Sequence, residues 1–189
     1  MPEMFDPPDW ISQHPYWVLG PLVAILLTTG KAQFVIARRH LVTDDNRRPI
    51  PAMQKAGTHV AMKDLISSWG PAGPCHARRT LFWDFWFLLT YGAILAFLCA
   101  LGAANLRKMD ASFAAWFWIA GVWISMGAAA LDALENLLLW RMFTAEFEGD
   151  LIPKSMRLAS KWKWKAVGTA ASLALMALLF DLFGCRFDC

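Results

Sequence analysis

At 189 residues the chain could form one substantial domain, but 57% of it is hydrophobic and only 17% charged, where soluble domains carry roughly a quarter charged residues. That composition excludes a disordered chain, a coiled coil and a collagen-like repeat, and apolar runs long enough to cross a bilayer assign the chain to the integral membrane proteins. The net charge of +3 does not point to nucleic acid, because the basic residues sit in loops flanking apolar runs and form no stripe interleaved with aromatics.

The amino-terminal tail, 1–15, contains Glu3, Asp6 and Asp9 but no Lys or Arg. It therefore lacks the basic start of a cleavable signal, and the first span is expected to direct insertion itself. That span runs from Tyr16 to Ala37 and carries Lys31. In the connection that follows, Pro51 suits a first helical turn, while Met62, Leu65, Ile66 and Trp69 keep helical spacing. The Gly70-Pro71-Ala72-Gly73-Pro74 run then stops the helix. An amphipathic helix over Ala52 to Trp69, lying on the cytoplasmic face, is the expectation, with an irregular loop as the alternative.

Further spans run from Leu81 to Ala104, Phe113 to Trp140 and Trp164 to Phe183. All meet the length of about 20 apolar residues that crossing the hydrocarbon requires, and the third exceeds it, so it tilts or projects. Unbroken apolar runs lack the alternation of barrel strands. Trp10, Tyr16, Trp17, Trp83, Trp116, Trp118, Trp140, Trp162 and Trp164 lie near span ends, as interfacial anchors do, and Trp162-Lys163-Trp164-Lys165 reads as ordinary anchoring. No internal repeat, low-complexity tract or pair of broken helices appears. The expected fold is an all-α integral membrane protein, a four-helix up-down bundle. Residues 16–184 form its single membrane domain, between extracytoplasmic tails 1–15 and 185–189.

Orientation follows from the positive-inside rule. The first connection holds Arg38, Arg39, Arg47, Arg48, Lys55, Lys63, Arg78 and Arg79, and the third holds Arg141, Lys154, Arg157, Lys161, Lys163 and Lys165. The opposite side has only Arg107, Lys108 and Arg186. Both termini are therefore expected outside a bacterial inner (cytoplasmic) membrane. Cys185 and Cys189 at the outer terminus could close a small disulfide loop or remain two free thiols, whereas Cys75 and Cys99 cannot reach them. His14, His40, His59 and His76 fall in tails, loops or at a span edge, a poor distribution for mid-membrane haem ligation.

Charges within spans cost about 2.5–3.5 kcal/mol each on insertion scales, so each needs an explanation. Lys31, Asp84, Asp132, Glu135 and Asn136 lie within spans, with Lys165 at the start of the fourth. At about 1.5 Å per residue, Lys31, Asp84 and Glu135 are roughly 7–10 Å inside the basic boundary, so their depths coincide. Helical phase adds a second test. Asp132 shares a face with Gly121, Ser125 and Ala128, opposite Trp123, Ala130, Leu134 and Leu138. Small residues permit close helix approach, so the acids are expected inward. By the same logic Lys31 joins Gly20, Ala24 and Thr28, Lys165 joins Gly168, Thr169 and Ser172, and Asp84 joins Tyr91.

The expected site is thus a buried cluster of Lys31, Asp84, Asp132, Glu135 and Asn136, with Tyr91 and Lys165 beside it. One carboxyl is surplus, so a retained proton or a bound cation is expected. Three roles are compatible with it. It could bind or pass a cation, a proton or a polar lipid headgroup, with flux requiring a homo-oligomer. It could pin the bundle of an assembly subunit in a larger membrane complex. It could hold a divalent metal on Asp84, Asp132 and Glu135 for work on a lipid phosphate. Binding or permeation is the reading carried forward, because no nucleophile paired with a base and no metal-ligand spacing of established specificity is evident; the sequence names no cofactor either way. The expected partners are the lipid bilayer and other membrane subunits, not nucleic acid.

Overall fold

A computed structural model describes residues 11, 14–43, 49–108, 112–144 and 149–184. Among them the chain is all-α: α1 (Tyr16–His40), α2 (Pro49–Lys55), α3 (His59–Ser68), α4 (Gly73–Lys108), α5 (Ser112–Thr144) and α6 (Leu151–Gly184). Three segments are long and apolar enough to cross a membrane, Tyr16–His40, Gly73–Arg107 and Ala115–Phe143. The fourth expected crossing, 164–183, falls within α6.

Contacts divide the chain into two compact units. The first comprises the described parts of Met1–Ala24, Leu89–Ala129 and Trp164–Cys189, and the second Ile25–Leu88 and Ala130–Lys163.

The first unit is held by small residues and one indole. Leu98, Cys99, Ala103, Trp118, Ile119, Val122, Ala174 and Ala177 form its core. At Gly102 α4 approaches its neighbours closely: a Cβ there would stand 2.4 Å from Trp118 Cδ1 and 2.7 Å from the Ala177 Cβ. Trp118, expected at the membrane interface, is instead a core residue, because its Nε1–H donates to the Leu173 carbonyl at 3.2 Å and the buried indole is satisfied.

The second unit has a conventional apolar core of Leu41, Met53, Met62, Trp69, Ala77, Leu81, Leu139, Met142, Phe143 and Met156. Each large side chain so buried contributes about 1.5–3 kcal/mol. Here the expectation of one interfacial helix over 52–69 is corrected. The segment forms two helices, because Thr58 has extended backbone (φ −131, ψ 151) and its hydroxyl accepts the Ala61 N–H at 3.3 Å, starting α3 afresh. Met53, Met62 and Trp69 enter the protein core, where Trp69 meets Phe143 at a ring-centroid distance of 6.2 Å. The Gly-Pro run does end α3: Gly70 takes φ +71, which a glycine supplies without strain. Asp150 Oδ1 accepts the His59 backbone N–H at 2.8 Å and so ties the start of α3 to the residue preceding α6.

Candidate functional site

The buried face of α5 within the second unit carries Asp132, Glu135, Asn136, Leu139 and Met142, while Leu134, Leu137 and Trp140 are exposed. Spacings of three and four residues put Asp132, Glu135 and Asn136 on one side of the helix. Glu135 is 0% exposed and Asn136 2%. The inward direction assigned to the acids from helical phase therefore agrees with the structure.

Their cationic partner is Lys163 of α6, itself only 5% exposed. Its Nζ donates to Asp132 Oδ1 at 2.8 Å and pairs with Glu135 Oε2 at 2.9 Å. The other Glu135 oxygen, Oε1, accepts from Gln54 Nε2 of α2. Burial by itself would lower the Lys163 pKa, but the attraction of Glu135 and then Asp132 outweighs it, and the ammonium titrates above the ordinary lysine value. The triad is thus a desolvated, hydrogen-bonded ionic knot joining α2, α5 and α6.

Asp84 stands at its edge. Its Oδ2 accepts the Asn136 Nδ2–H at 2.6 Å, and it lies within electrostatic range of Asp132 and Lys163. Among the described residues no cation lies within ion-pair distance of it. Asp84 lines a cavity of about 660 Å³ together with Gln33, Arg38 and Thr80 and the apolar Phe34, Ala37, Val42, Pro49, Pro51 and Leu81. Gln33 of α1 lies within hydrogen-bonding reach of the same carboxylate.

Three expected members are elsewhere. Lys31 is exposed, as are Gly20, Ala24 and Thr28 on its face of α1. The side of α1 that packs carries Thr29, Gly30, Gln33 and Ala37, and a Cβ on Gly30 would meet the Phe87 ring at 3.3 Å. Lys165 is exposed and belongs to the first unit, with Gly168, Thr169 and Ser172 exposed beside it. The physical reason is that these hydroxyls serve their own helix: Thr169 Oγ1 donates to the Lys165 carbonyl and Ser172 Oγ to that of Gly168. Such residues do not require a facing helix. Tyr91 is half-buried and also lies in the first unit.

Among the described residues no group of three or more His, Cys, Asp or Glu side chains is placed to share a metal ion, so Asp84, Asp132 and Glu135 are not gathered as a donor set. Cys75 and Cys99 are free thiols, and Cys185 and Cys189 lie outside the described residues. His40 and His76 stack in parallel with centroids 3.7 Å apart and planes within 3°, which does not aim two ring nitrogens at one ion.

Sequence reasoning missed Lys163, Gln54 and Gln33. A signal for Lys163 exists: it is seven residues from Ala170 and fourteen from Ala177, in phase with the buried alanines of α6. Gln54 had no such signal, because its contact depends on how the connection folds back. No protein-family model, curated protein or solved structure matches this chain.

Proposed function

We propose that the chain is a four-span helical bundle with both termini extracytoplasmic, and that its cytoplasm-side polar site binds a cation or the cationic group of a polar headgroup at Asp84. The Lys and Arg distribution supports the topology. One observation carries the binding role: Asp84 faces a cavity of about 660 Å³ with no cation in ion-pair range among the described residues, while Asp132 and Glu135 share Lys163. A carboxylate in an apolar-walled space is costly unless something neutralises it. The Lys163 triad is the structural half of the site. Its one ammonium is shared by two carboxylates and holds α5 and α6 in register.

The test uses the purified full chain in detergent with ethanolamine as the probe, read by intrinsic tryptophan fluorescence, for which Trp83 is adjacent to Asp84 in sequence. Saturable quenching or enhancement is expected in the wild type and absent in Asp84→Asn. No saturable response in the wild type, or the same response in both proteins, would refute the reading.

A further inference from the structure

The cavity of the second unit carries two opposite charges that do not meet. Asp84 of α4 and Arg38 of α1 both line it, yet no ion pair joins them. Its volume of about 660 Å³ falls within the roughly 300–1,000 Å³ of ordinary small-molecule sites, well beyond what a bare ion fills. Phe34, Ala37, Val42 and Leu81 make much of the wall apolar.

Helix register sets the spacing of the two charges. Gln33, within hydrogen-bonding reach of Asp84, marks the level of the carboxylate on α1. Arg38 follows five residues later, roughly 7.5 Å further along the axis at about 1.5 Å per residue. It stands in the last turn of α1, with its guanidinium 5.9 Å from the centre of the Phe34 ring on the cavity wall. In the topology proposed above that end of α1 faces the cytoplasm, so Arg38 lies nearer the water and Asp84 deeper. A membrane lipid runs the wrong way for this order: with its ammonium on Asp84 and its phosphate on Arg38, its acyl chains would point to the water side. The order fits a soluble molecule that enters ammonium first.

Taking Asp84 as the cation site proposed above, we infer that the cavity binds a soluble zwitterion whose primary ammonium and carboxylate stand at opposite ends of a short apolar body, the ammonium on Asp84 and the carboxylate on Arg38. An ionised carboxylate has about four acceptor positions, so Asp84 can take the ammonium beside the Asn136 amide. The planar Arg38 guanidinium presents paired N–H donors that match a carboxylate. The apolar body covers Phe34, Ala37 and Leu81, which an inorganic cation would leave wet. An α-amino acid holds both charges on one carbon and reaches one end of the site at a time.

The experiment is isothermal titration calorimetry of the full chain in detergent. The probes are tranexamate, a cyclohexane with a carboxylate and an aminomethyl group on opposite carbons; homocycloleucine, the same ring with both charges on one carbon; cyclohexylmethylamine; and cyclohexanecarboxylate. Tranexamate should bind at least tenfold tighter than any of the others. Arg38→Gln, at an exposed position, should reduce it to the level of cyclohexylmethylamine, and Asp84→Asn to that of cyclohexanecarboxylate. Ala37→Leu, which fills the wall without changing charge, should weaken tranexamate at least tenfold and stands in for Asp84→Asn if that variant does not fold. Tranexamate binding no tighter than cyclohexylmethylamine, with ethanolamine binding still dependent on Asp84, would overturn the inference and leave the cation site standing. Equal binding of homocycloleucine would likewise overturn it. Absence of binding by ethanolamine and by every probe would remove both.

Discussion

Replacing Lys163 with methionine keeps the unbranched stem, one atom shorter, and removes the one ammonium shared by Asp132 and Glu135. At an effective dielectric constant of about 20, each contact near 2.8–2.9 Å represents about 6 kcal/mol of gross attraction. Most of that offsets the desolvation of three buried charges, so the intact knot adds little net stability. The variant forfeits the attraction while the desolvation of the acids remains, and the expected loss is about 3–5 kcal/mol. Titrating sodium dodecyl sulfate into dodecyl maltoside micelles, with unfolding followed by tryptophan fluorescence, measures it. The neutral triple variant Asp132→Asn, Glu135→Gln, Lys163→Met should recover most of the loss, because no buried charge is then stranded. Lys31→Met, at an exposed position, should change stability by less than about 0.5 kcal/mol. A Lys163→Met loss below about 1 kcal/mol, or one that persists undiminished in the triple variant, would refute the reasoning.

A methyl group at Gly102 must displace Trp118 or Ala177, so Gly102→Ala should cost about 1–3 kcal/mol in the same assay, whereas Gly20→Ala, with nothing within 4 Å, should be neutral or stabilising. The raised pKa of Lys163 means that its contribution is complete below the unfolded value of about 10.4 and is lost as pH rises through the higher folded value. An alkaline loss of stability is therefore expected in the wild type and should be smaller in Lys163→Met when the two are compared from pH 9 upward. In a Cys185→Ser, Cys189→Ser background, a membrane-impermeant maleimide should label exposed Cys75 only in inside-out vesicles and should leave buried Cys99 unmodified in either orientation. Labelling of Cys75 in right-side-out vesicles would reverse the topology.

Helical class and the three long apolar segments were legible because they rest on composition and run length, which tertiary packing does not alter. The direction of the α5 acids was legible for a related reason: the exposed Trp123 and Leu134 and the buried Gly121, Ser125 and Ala128 differ in size, although Leu138, expected on the lipid side, packs partly buried against the core. On α1 and α6 size alone misleads. Small residues mark a packed face only if nothing else accounts for them, and Thr169 and Ser172 are satisfied within their own turn. The buried alanines 170, 174 and 177 were the better guide on α6, yet alanine carries less signal than glycine or serine because it also suits any helix. Over 52–69 the period was right and the continuity wrong, since a capping threonine inside an amphipathic pattern divides it.

The exchange of lysines changes the charge argument as well as the contact list. With Lys31 and Lys165 both exposed, Lys163 supplies the buried ammonium beside Asp132 and Glu135, and the Arg38 guanidinium lines the same cavity as Asp84. Lys163 sits between the two acids on α5, where a three-residue spacing lets one Nζ reach both, and it makes no ion pair with Asp84. Asn136 is what links Asp84 to the triad. Its amide fixes the position of the carboxylate but brings no charge, so it aligns Asp84 without neutralising it. A pin alone would be better served by an apolar side chain at Asp84, because a half-buried acid facing an apolar-walled cavity adds a desolvation cost and no ion pair. The acid is accounted for if the cavity receives a cation, and the amide held beside it then acts as a positioning group for that encounter.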